Sequence, residues 1–128
     1  MVKGVKDIHK KGLVHCDLKN MNILVSGYDE SGVPIVKITD FGQAVRLNQT
    51  EFFVPNSGGT VGYMAPEHIK REPCSAKIDV WSLGIILFSM LAATLPFLGD
   101  DQQAIKLATL VNPLTFEGQA KGRASDQC

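Results

Sequence analysis

The chain lacks an excess of charge. Its 13 basic and 13 acidic residues cancel, and the pI is near 6.8. A neutral balance gives no reason to expect nucleic acid or an anionic membrane surface as partner. Cysteine is scarce: Cys16, Cys74 and Cys128 are far apart, and no CxxC occurs. That implies neither a disulfide framework nor a cysteine zinc site, and points to a reducing, intracellular, cytoplasmic setting. The N-terminus "MVKGVKDIHKKG" has no apolar core of a signal peptide. Long apolar runs are missing except "VWSLGIILFSMLAATL", residues 80–95. It is shorter than the roughly 20 residues a bilayer needs. It reads as a buried helix, apolar on nearly every side.

What is present fits one soluble domain of 128 residues, 45% hydrophobic and 20% charged. Val2, Val5 and Ile8 recur every third residue before Gly12, which predicts an amphipathic helix with a glycine stop. "NILV" (22–25) and "IVKIT" (35–39) flank "SGYDESGVP", a hairpin signature. Residues 43–62 read as a loop. Short helices are expected after Pro66 and over 100–111, with Asp100 or Asp101 as cap, and the apolar helix over about 78–93. The fold class is mainly α with a short β-hairpin. Residues 1–112 form the expected domain, and 113–128 a disordered tail.

Chemistry concentrates in "LVHCDLKNMNIL" (13–24), which holds His15, Asp17, Lys19 and Asn22. The helix stop at Gly12 and the strand near Asn22 place Asp17 and Lys19 on a loop. A hairpin brings its two ends together, so Asn22 and Asp40 should share one end. Two hard oxygen donors suit Mg²⁺. Lys19 offers a cation to a phosphoryl group, and Asp17 a base to a hydroxyl. Those are the parts that phosphoryl transfer requires. Taken singly, Asp17, Asn22 and Asp40 could also be turn-capping residues, and His15 a packed core histidine.

"HCDLKNMN" (15–22) resembles the catalytic loop of protein kinases, and "DFG" (40–42) their magnesium motif. "GTVGYMAPE" (59–67) and "DVWSLG" (79–84) are similar to two further segments of that family, in the same order. HxD(x4)N alone also occurs in small-molecule phosphotransferases. The resemblance covers residues 2 to about 112. It implies a protein-kinase-like C-lobe without its N-lobe, and a serine/threonine kinase transferring the γ-phosphoryl of ATP with Mg²⁺ to a protein substrate. It implies that Asp17 is the base, that Lys19 contacts the γ-phosphate, and that Asn22 and Asp40 hold the metal. Thr60 would bond Asp17 and Lys19. Leu24 would floor the adenine site, with Ile86 and Met90 behind it. Tyr63 would shape the wall beside the residue after the phosphoacceptor. Asp79 would accept backbone N–H groups around His15, and His15 would stack on Phe41. His9 and His68 read as surface or helix-end residues.

The chain departs from the family pattern at Cys16, where an arginine commonly binds an activation-loop phosphate. The usual phosphate position falls on Asn56, with Ser57 as nearest acceptor, so phosphorylation there is not expected to act as a switch. The hairpin is about five residues longer than usual. No glycine-rich loop or third-strand lysine is present, so the isolated chain is expected to be inactive. Glu67 is expected to be buried without its usual arginine, since Arg123 comes early. Two other readings follow: a catalytically silent C-lobe binding a partner through the surface around Leu24 and Phe41, and an incomplete gene product.

Overall fold

The computed structural model describes residues 1–47, 50–55 and 58–114. Asn56, Ser57, Arg123, Cys128 and nearly all of the expected tail lie outside the described residues. The helix α1 (Val2–Lys10) ends as expected, with Gly12 in the left-handed region at φ 70°. The hairpin pairs β2 (Ile23–Tyr28) with β3 (Pro34–Ile38), antiparallel, with an irregularity between Val25 and Gly27. The three helices that follow are α2 (Pro66–Lys70), α3 (Lys77–Ala92) and α4 (Gln102–Val111). Asp101 caps α4 by accepting from the Ala104 N–H.

A second ribbon was not foreseen. β1 (Leu13–Val14) pairs antiparallel with β4 (Val45–Arg46), inside the segment read as loop. Two-residue strands carry no period-2 pattern, so the sequence hides them. A bridge between Phe52 and Cys74 ties the next stretch down, with N···O distances of 2.8 and 2.7 Å.

α3 organises the core. Ile78 packs with Val14, Cys16, Ala65 and Cys74, while Ile86 packs with Val5 and Leu18. Ile85 joins Phe97 and Ala108. Val14, Cys16 and Leu18 thus anchor the loop 13–19 along α3. Leu18 is fully buried, worth roughly 1.5–3 kcal/mol. The expectation that α3 is covered on nearly every side is corrected. Val80, Leu87, Met90 and Leu91 are more than half exposed. The described elements pack on one side of α3, and its other side opens onto two apolar clefts.

Candidate functional site

The loop 13–19 is held from beneath by Asp79, in the first turn of α3. Its carboxylate accepts the His15 N–H at 2.8 Å and the Cys16 N–H at 3.0 Å. Asp79 is 1% exposed. Asp79 is not the N-cap of α3, since Ala76 occupies that position and no side chain caps the helix. His9 also reaches Asp79, with Nε2 2.8 Å from Oδ2. That contact links α1 to α3 and was not legible in the sequence.

His15 is wholly buried. Its Nε2–H donates to the Thr39 carbonyl at 3.0 Å, and Nδ1 accepts the Asp17 N–H at 3.3 Å. The ring lies 5.0 Å from that of Phe41, tilted by 56°. His15 therefore braces the loop against the end of β3. Cys16 adopts φ 66°, a left-handed conformation that costs a non-glycine residue of the order of 1–2 kcal/mol. Burial pushes its thiol up to about 12, so it stays protonated at neutral pH.

Asp17, Lys19 and Thr60 converge. Thr60 Oγ1–H donates to Asp17 Oδ1 at 2.6 Å, and Lys19 Nζ donates to Thr60 Oγ1 at 3.0 Å. Lys19 Nζ lies 3.2 Å from Asp17 Oδ2. Asn22 Nδ2 donates to the Asp17 carbonyl at 2.9 Å. That orients the carboxamide and leaves its oxygen available.

Asn22 and Asp40 do share one end of the hairpin. The Thr39 N–H donates to the Asn22 carbonyl at 2.9 Å. Asp40 sits at φ 62°, and its Oδ1 accepts the Gly42 N–H at 3.3 Å. Left-handed backbone at Asp40 turns the chain out of the strand. Leu24 is half exposed beside them, and Phe41 nearly so.

Of the two residues expected behind Leu24, Ile86 is buried and Met90 is 61% exposed. Two expectations need correction. His68 lies in the last turn of α2 as expected, but is buried rather than at the surface, and that burial pulls its imidazole below the ordinary histidine value. Glu67 is only half-buried. It borders a cleft of about 640 Å³ with Trp81, Ile85 and Phe97, and has no ion pair among the described residues.

The family model described as "Protein kinase domain" matches residues 1–126. Among curated proteins, mitogen-activated protein kinase kinase kinase dlk-1 of Caenorhabditis briggsae is 39% identical over 113 residues, 88% of this chain and 13% of its own length. Mitogen-activated protein kinase kinase kinase 12 of Rattus norvegicus is 38% identical over 102 residues, 80% of this chain and 11% of its own. Calcium/calmodulin-dependent protein kinase type II of Caenorhabditis elegans is 34% identical over 105 residues, 82% of this chain and 14% of its own. The chain thus spans about an eighth of the length of such relatives.

Proposed function

The chain belongs to the protein kinase family, and on that premise we propose that it carries the catalytic half of a serine/threonine kinase site, within that fold's C-terminal lobe. The observation that carries this reading is the Asp17–Lys19–Thr60 triangle. An aspartate held by a threonine hydroxyl and a lysine amine is fixed before any substrate arrives. Its role is to receive the proton of an attacking Ser or Thr hydroxyl, and that of Lys19 is to face the transferring γ-phosphoryl group.

Family members generally use ATP with Mg²⁺, and the donor set here suits both. Asn22 keeps its carboxamide oxygen free, because Nδ2 is committed to the Asp17 carbonyl. Asp40 is exposed and keeps one carboxylate oxygen free of the Gly42 N–H. Hard oxygens at one hairpin end are the ligands Mg²⁺ prefers. When bound, the metal neutralises phosphate charge. Leu24 offers an apolar surface to the adenine ring. The same exposed surface around Leu24 and Phe41 would serve a partner protein in a catalytically silent module, and nucleotide binding separates the two readings.

The test is phosphotransfer by the protein, purified as its own cells express it, on matched serine and tyrosine peptides. The serine peptide is expected to be phosphorylated and the tyrosine peptide not. Asp17→Asn should lower kcat by about 10²- to 10⁴-fold, the usual contribution of a positioned base. An Asp17→Asn variant within threefold of the parent, or preferred tyrosine transfer, contradicts the assignment.

A further inference from the structure

A second polar feature lies beside Gly58 and Met64. His68, Arg71 and Lys106 line a cavity of about 60 Å³, walled by Val54, Met64 and Ile69. Such a space holds about two waters' share of liquid volume, enough for a carboxylate or a phosphate and too little for a ring. Three basic side chains thus converge from α2, its C-cap and α4. Among the described residues, neither Arg71 nor Lys106 has an acidic partner within 4 Å.

The local backbone is shaped around this cavity. Gly59 sits at φ 84°, and a Cβ there would lie 2.6 Å from His68 Cε1. A Cβ on Gly58 would lie 2.6 Å from Val54 Cγ1. At Gly59 only a glycine lets the turn close over the imidazole.

We propose that the His68–Arg71–Lys106 cavity is an anion subsite for the protein substrate, taking a carboxylate or phosphate side chain near the acceptor hydroxyl. This rests on the phosphotransfer reading above, since it presumes a peptide lying past Thr60. The arginine supplies a planar fork and the lysine a point charge, the pair that recognises such groups. At neutral pH the charge comes from Arg71 and Lys106, because burial keeps His68 neutral. As pH falls, His68 gains charge and adds a donor. A hydrogen bond to the Gly58 carbonyl favours that protonation, as do Glu67 and Asp17, and Lys106 opposes it. The bound anion favours it too, so affinity should rise below the ordinary histidine range.

The experiment measures peptide binding to the 128-residue chain by fluorescence anisotropy, without nucleotide or metal, so that failure of phosphotransfer leaves it readable. Serine peptides that differ at the residue after the acceptor, with Asp, phosphoserine or Asn, are compared. The Asp and phosphoserine peptides should bind about tenfold more tightly than the Asn peptide. Arg71→Gln with Lys106→Gln should erase that gap. Proton–carbon spectra of the unsubstituted chain supply a second readout, in which the His68 Cε1 resonance should move with the acidic peptides alone. Equal affinity for all three peptides, a gap that survives the double substitution, or an unmoved His68 resonance overturns the proposal.

Discussion

Asp79 touches no reacting atom in this account, yet much of the site rests on it. One buried carboxylate satisfies two loop N–H groups and meets His9 from α1. Removing it would orphan the N–H groups of His15 and Cys16 in a water-free place. Each buried orphan costs about 1–3 kcal/mol. Asp79→Ala should therefore lower unfolding free energy by about 3 kcal/mol, measured by urea denaturation of the 128-residue chain. Asp79→Asn keeps one acceptor oxygen and should cost less. A loss below about 1 kcal/mol for the alanine variant would mean that the loop holds itself. At this scale the sequence was informative where a residue type has few uses. Asp17, Lys19, Asn22 and Thr60 stand where the motif reading placed them relative to one another. His9 and His68 do end their helices, but their partners and the burial of His68 could not be read, because a lone histidine carries no signal of which neighbour it will meet.

At the scale of elements, length decided what could be read. α1, α3 and α4 lie within two residues of their expected bounds, α1 by its apolar spacing, α3 by its long apolar run and α4 by its capping aspartate. The β1–β4 ribbon escaped, and its two-residue strands are held by partners distant in sequence. The turn at Gly58 and Gly59 was legible as a loop, but not as the lid of a histidine. Its strictness can be measured. Gly59→Ala must place a Cβ at φ 84° against His68, and the backbone penalty alone is about 1–2 kcal/mol. The melting temperature should fall by several degrees. Gly27→Ala is the control, since a Cβ there meets nothing within 4 Å. It should leave the melting temperature unchanged within about 1 °C, or raise it slightly. Equal effects at both glycines would show that packing over His68 is not what fixes Gly59.

At the scale of the whole molecule, the exposed side of α3 is the main departure from the sequence reading. Apolar composition predicted burial on nearly all sides, but Val80, Leu87, Met90 and Leu91 face outward. Composition reports what a helix can bury, and the elements packed around it decide what it does bury. The residues proposed for nucleotide contact lie together, from Asp17 through the hairpin end to Asp40, on a loop that Asp79 and Thr60 hold in place. That makes the central claim directly measurable. Titrate Mg·ATP into the 128-residue chain and into its Asp40→Ala variant by isothermal calorimetry, with Mg²⁺ omitted as control. Binding in the parent, of the order of millimolar in Kd, that requires Mg²⁺ and disappears in Asp40→Ala is the predicted result. Absence of binding in the parent, or binding that survives in Asp40→Ala, would contradict the account.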